Sequence, residues 1–190
     1  MKQIIFSLVL VLLNSSANAQ WTLDKNHSKF TFIALHHGIS ELDGYFKKFD
    51  GKITATKDDL SDAVFDISIE TASLNTDLEM RDNHLKSEDM FNVVNFPLMT
   101  FKSTSLKKIS GNKYAMMGDL TIKGITKSIT LDVTMNGPVA HPDPKNTIPQ
   151  LGMKALATVK RSDFGIGSKL PVAMVGDEIQ IRATGEFQKK

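Results

Sequence analysis

The sequence has no cysteine, one tryptophan and two tyrosines among its 190 residues, and almost no excess of either charge. Without thiols it is neither a disulfide-stapled scaffold nor a bacterial lipoprotein carrying a lipid-modified cysteine. A formal net charge of +2, from 23 basic and 21 acidic side chains, gives no electrostatic basis for binding nucleic acid or acidic lipid. The scarcity of Trp and Tyr argues against an outer-membrane barrel, whose lipid face needs aromatic girdles. A hydrophobic share of 41% with 23% charged residues excludes a disordered or collagen-like chain and fits one ordinary domain.

Long apolar runs are also scarce, and the one that stands out is at the start. Lys2 precedes Ile4 to Leu13, and Ala17-Asn18-Ala19 follows, which is the charged, apolar and cleavable order of a secretory signal peptide. The run is too short to span a bilayer comfortably. The expected organisation is a cleaved signal over residues 1–19 and a single domain over residues 20–190.

Beyond that segment, alternation dominates. Phe65, Ile67 and Ile69 interleave with Asp66, Ser68 and Glu70, and Ile129, Leu131, Val133 and Met135 interleave with polar residues. Further dry faces read Phe30, Phe32, Ala34 and His36; Met99 and Phe101; and Tyr114, Met116, Gly118, Leu120 and Ile122. Late in the chain come Leu151, Met153, Ala155, Ala157 and Val159, then Ile179, Ile181, Ala183, Gly185 and Phe187. With a strand over Tyr45 to Ile53 the count reaches about eight, enough to close a barrel around one slender ligand. Turns at Gly111-Asn112 and Lys123-Gly124 fit an antiparallel meander. Only Asp77 to Asn95 loses the period of two. There Leu78, Leu85, Met90 and Phe91 are spaced for short helices, and Ser87 before Glu88 and Asp89 offers a helix N-cap. Gly137 to Gln150 reads as an irregular loop.

Alternation suits a sandwich as well as a barrel. The mixture of Met with Ala and Gly on the dry face favours a hollow barrel, because Met adapts its shape and Ala leaves space. A packed barrel filled by small and large residues would carry the same mixture, and the pattern leaves both open.

The polar residues give no catalytic or metal signature. His36 and His37 are adjacent on a strand and point to opposite faces, while His27, His84 and His141 lie apart without ligand spacing. Asp24, His27 and Ser28 contain the letters of a hydrolase triad without a nucleophile elbow. Asp163-Phe164-Gly165 matches a kinase element without the rest of a kinase. Arg81-Asp82-Asn83-His84 gathers three ionisable side chains on a short helical segment, either a capped, solvated helix or a gate that meets a ligand head group.

Taken in order, these residues resemble the YceI family of secreted lipid-binding proteins, also described as polyisoprenoid-binding. The pattern runs through Trp21-Thr22-Leu23-Asp24, His27-Ser28, Gly44, Phe46 and Arg81-Asp82-Asn83-His84-Leu85-Lys86-Ser87. It continues through Phe96-Pro97, Thr100 to Thr104, Gly118 to Thr126 and Arg161-Ser162-Asp163-Phe164-Gly165, departing mildly at Asn75, Met90 and Phe96. The resemblance implies an all-β, antiparallel, roughly eight-stranded, extended lipocalin-like barrel with a short helical segment over one end. It further implies a periplasmic protein that sequesters a long-chain isoprenoid lipid, quinone or similar amphiphile, with no cofactor beyond that ligand.

Resemblance and dry face together nominate Phe30, Phe32, Ile67, Ile69, Met99, Phe101, Met116, Leu131, Val133, Met135, Met153, Ala155, Ala157, Phe164 and Ile181 as cavity-lining residues. His36, Arg81, Asp82 and His84 are the entrance candidates. No catalytic residue and no metal ligand is nominated. Expected partners are the lipid and, transiently, a membrane, with no nucleic acid and with a monomer or homodimer as the state. Two other readings stay open: a secreted enzyme acting on such a lipid, with His36 or the Arg81 to His84 cluster as acid and base, and a stress-related protein that uses the barrel exterior.

Overall fold

A computed structural model describes residues 19–190. The signal segment read over residues 1–19 lies outside the described residues, apart from Ala19, which opens the first strand. In chain order the strands are β1 (Ala19–His36), β2 (Ser40–Phe46), β3 (Phe49–Ala55), β4 (Val64–Glu70), β5 (Leu74–Asn75), β6 (Leu98–Ser110), β7 (Lys113–Ile122), β8 (Ile125–Val139), β9 (Gln150–Lys160) and β10 (Val175–Lys189). One helix, α1 (Glu79–Lys86), interrupts them between β5 and β6.

Every pairing is antiparallel, and β10 returns to pair with β1, closing an eight-stranded barrel. Closure through β10 and β1 removes most of the open edge that a sandwich would keep, while the outer edge of β2 is paired only at Tyr45 and Phe46, with Asn75 and Leu74 of β5. The segment read as one strand over Tyr45 to Ile53 is two. β2 pairs with the second half of β1 and β3 with its first four residues, so together they make one broken wall strand. The break falls at Lys47–Lys48, whose amides bond to Ser73 O and Ser73 Oγ instead of β1. The β7–β8 link is a two-residue turn with both Lys123 and Gly124 at positive φ, the geometry that matches the twist of paired strands.

The alternation resolves into an apolar interior and a polar outer wall. At one end Trp21, Phe65, Leu151 and Phe187 are almost wholly buried, with Phe65 and Phe187 edge to face at 6.2 Å between ring centroids. This closed end also carries the β3–β4, β6–β7 and β8–β9 links. At the other end, Phe46, Leu74, Met90, Met99, Ile122, Phe164 and Ile166 form a second, smaller cluster beneath α1 and the β9–β10 connection. Phe30 and Ile69 touch both clusters.

The excursion before β6 differs from its sequence reading. α1 stops at Lys86, and Ser87 closes it: its N–H donates to His84 O, and its Oγ lies 2.6 Å from the same carbonyl and 2.8 Å from Asp89 Oδ1, with one proton to give to either. With its hydroxyl engaged there, Ser87 starts no second helix. Residues 88–97 continue as turns and irregular chain that bring Met90 and Phe91 inward.

Candidate functional site: an apolar cavity in the barrel

Between the two clusters is a cavity of about 210 Å³. Its wall takes Phe30, Phe32 and Ala34 from β1, Ile67 and Ile69 from β4, and Met99 and Phe101 from β6. Met116, Leu120 and Ile122 come from β7, Ile129 and Leu131 from β8, Met153, Ala155 and Val159 from β9, and Ile179, Ile181 and Ala183 from β10. Leu85, Met90, Phe91, Phe164 and Ile166 fold over the end opposite the closed core. Thr31, Thr100, Arg161 and Arg182 are its polar members, so the wall offers very little for a polar solute to bond. Four lining residues are methionines, Met90, Met99, Met116 and Met153, whose unbranched thioethers reshape around a guest at low cost.

Twelve of the fifteen nominated lining residues are on this wall; Val133, Met135 and Ala157 are not. Val133 and Met135 are buried in the closed-end core, and Ala157 packs against that core. The β8 alternation continues past the cavity floor, so period two identifies the dry face without marking where the hollow ends. The same alternation carries Ala34, Leu120, Ile122, Ile129, Val159, Ile179 and Ala183 to the wall. Leu85 and Phe91 lie outside any strand, and nothing in their spacing announced the cavity.

None of the four entrance candidates lines the cavity. Arg81 turns back on Thr76, its Nε donating to Oγ1 at 2.8 Å and a terminal nitrogen to the carbonyl at 2.6 Å. Asp82, buried, accepts from Thr76 N at 2.8 Å and Thr76 Oγ1 at 2.5 Å. These bonds stitch α1 to the chain that precedes it and so hold Leu85 against the cavity. His84 is exposed, 3.7 Å from Asp89 Oδ2. β1 ends at His36 and His37 turns at positive φ, so the two rings stack at 3.8 Å and do not point to opposite faces of a strand.

The polar residue that does shape the site is Arg161. It is buried and donates five hydrogen bonds, all to carbonyls: Ile166, Gly167, Leu170, Val175 and Gly176. One guanidinium thereby gathers the whole β9–β10 connection into a roof segment and carries Phe164 and Ile166 with it. The residue belongs to the family pattern, but the sequence gives it no lining role, because its partners are backbone atoms that leave no side-chain signature.

A second polar group lies outside the barrel near its closed end. Between Asp24 and Lys29 the β1–β10 register slips, and residues 25–28 bulge from the wall. Asp24 organises the bulge, accepting from Asn26 N at 2.9 Å and lying 3.0 Å from His27 Nδ1, while Ser28 Oγ donates to the Asp24 carbonyl at 2.5 Å. Ser28 thus bonds the backbone and not His27, which is no nucleophile–base pair. The His27 contact holds the Asp24 carboxyl below its ordinary value, and that carboxylate, with help from Glu186, raises His27 above its own. Asp24, His27 and Glu186 are the described residues whose ligand atoms converge closely enough to hold a metal ion. Barrel closure brings Glu186 there from the far end of the chain.

Comparison with known proteins agrees with this architecture. The YceI-like domain matches residues 21–187. The chain belongs to the YceI family. YceI of Salmonella agona is 34% identical over 186 residues, covering 97% of this chain and 95% of the relative, and YceI of Salmonella arizonae is 34% identical over 183 residues. Among solved structures, BcnA of Burkholderia cenocepacia superposes with a TM-score of 0.76 at 26% identity, over 86% of this chain and 98% of that one. The Campylobacter jejuni YceI protein superposes at 0.71 with 30% identity, covering 80% of this chain and 87% of its own. A polyisoprenoid-binding domain from Saccharophagus degradans shares the fold at a TM-score of 0.68 and 12% identity, covering 90% and 98%.

Proposed function

We propose that this YceI-family protein is a periplasmic carrier that sequesters a long-chain isoprenoid lipid or quinone in its barrel. The observation that carries the reading is the cavity itself: a tube of apolar side chains, four of them methionines, inside a closed barrel. Each methylene moved from water into such a wall contributes about 0.8 kcal/mol, so roughly ten tail carbons contribute about 8 kcal/mol before the costs of association. That suffices for a carrier, which has to shield a chain from water and release it. The family membership supports the reading, as does the shared fold of a domain described as polyisoprenoid-binding. The leader-like first 19 residues support the compartment.

Native mass spectrometry with lipid extraction, on protein recovered from its own cells, tests the reading. A stoichiometric long-chain species is expected, on a chain that begins at Gln20 and fractionates with the periplasm. An empty barrel that turns over an added lipid would overturn it in favour of an enzyme.

A further inference from the structure

We infer that the roofed end of the barrel docks on a lipid surface by inserting apolar side chains, with the β1–β2 turn and the β9–β10 connection as the point of contact. The inference rests on the carrier reading for its purpose and on the distribution of exposed apolar residues for its geometry. Strand directions place the β1–β2 turn, the α1 excursion, the β7–β8 turn and the β9–β10 connection at one end. Of fifteen exposed large hydrophobic residues among those described, nine belong to these segments or to the strand ends that enter them. Ile39 is 86% exposed, Val94 88%, Met80 77% and Val172 62%. Isolated exposed hydrophobics need no explanation, but a concentration at one end of the barrel does.

Two of these segments are physically joined. His37 N–H donates to Met174 O at 2.9 Å, so the turn carrying Ile39 and the turn carrying Val172 and Met174 form one tip. The tip is continuous with the cavity: Ala34 and Val175, the wall residues nearest these turns in sequence, both face it. A water-insoluble tail that enters here leaves a surface of the same chemistry, which commits the occupant of the tip to a bilayer. Charge defines the kind of bilayer. The four segments carry five basic and six acidic side chains, Arg161 and Asp82 among them buried, so they have no net positive charge to draw acidic head groups. Binding is therefore by insertion, works on zwitterionic lipid, and responds weakly to salt.

The test is co-sedimentation of the purified protein with phosphatidylcholine vesicles, alongside titration with a soluble fluorescent long-chain probe. Wild type is expected to sediment with the vesicles nearly equally at low and high salt. Ile39→Asp with Val172→Asp is expected to weaken that binding about tenfold or more while leaving probe affinity unchanged. Ile109→Asp with Ile148→Asp, at the opposite end, is expected to leave both unchanged. Absence of vesicle binding, equal loss in both double variants, or a requirement for anionic lipid would overturn the inference. So would an end-to-end dimer in light scattering that Ile39→Asp with Val172→Asp dissolves, because the tip would then bind a second copy. Probe binding separates the two ideas: a protein that takes the probe but ignores vesicles refutes the tip and keeps the carrier, and the reverse result does the opposite.

Discussion

Phe32 and Gly44 face each other across β1 and β2, and the Phe32 ring occupies the space a Cβ at position 44 would need. The missing side chain is what lets an aromatic ring lie against the barrel wall and still line the cavity. Gly44→Val is therefore expected to push Phe32 into the hollow, at an overpacking cost of about 1–3 kcal/mol. Thermal melts should show the loss, and displacement of a long-chain probe should show a weaker complex in whatever protein stays folded.

Register is testable at a single pair. Leu131 faces the cavity and Asp132, one residue on, is exposed. Leu131→Asp places a carboxylate among apolar groups and is expected to cost about 3 kcal/mol or more, whereas Asp132→Leu stays within about 0.5 kcal/mol of wild type. Denaturant unfolding of both variants checks this, and equal losses would contradict the assigned register.

These positions mark how far the sequence could be read. Period two identified the interior of β7, β8, β9 and β10 because each strand has one wet and one dry face. It carried no information on which strand closes on which, and the β1–β10 pairing joins Trp21 to Lys189 across the whole chain. Nor did it show where packing gives way to cavity, which is why Val133 and Met135 lie in the floor and not on the wall. The Arg81 to His84 cluster looked like an entrance because ionisable residues on a helix near an opening allow either role. What decides against it for Arg81 and Asp82 is their bonding to the backbone and hydroxyl of Thr76, which residue types alone do not report.

That local network has a measurable weight. Removing the Asp82 carboxylate leaves Thr76 N–H and hydroxyl buried without an acceptor, so Asp82→Ala is expected to cost about 1–3 kcal/mol. His84→Ala, on the exposed face, is expected to change stability by less than about 0.5 kcal/mol. Paired denaturant curves distinguish them, and Asp82→Ala should also loosen the probe by releasing α1 and its Leu85.

The Asp24–His27 contact makes stability depend on pH in a fixed direction. His27 is raised above 6.5, so its contribution is complete below that value and fades as pH climbs through the raised one. Asp24 is lowered from 3.8, so its contribution is present above that value and is lost as pH falls through the lowered one. The pair is strongest between the two ordinary values, and solvent around His27 keeps the effect small. His27→Gln is expected to lower Tm relative to wild type near about pH 5, with a smaller gap near about pH 8.5. A gap that widens with pH would contradict the assignment.

Cavity length is the property most directly tied to the carrier reading, and Ala155 is the place to change it. The residue is 3% exposed, faces the cavity from β9 and pairs with Val133 on one side and Ala183 on the other. Its small size keeps open the part of the tube nearest the closed core, where Met116, Leu131 and Met153 also lie. Ala155→Trp fills that space and leaves the roofed end untouched, so long tails should lose affinity while short ones keep it. Some stability is lost to overpacking, about 1–3 kcal/mol, partly relieved by the neighbouring methionines. The measurement is displacement of a fluorescent long-chain probe by competitors of graded length, in wild type and variant. Wild-type affinity should rise with each added methylene until the tube is full, and the variant's should reach its plateau several carbons sooner. An unchanged length preference in a folded Ala155→Trp protein would mean that tails do not reach this depth, and that the lower hollow serves packing instead of binding.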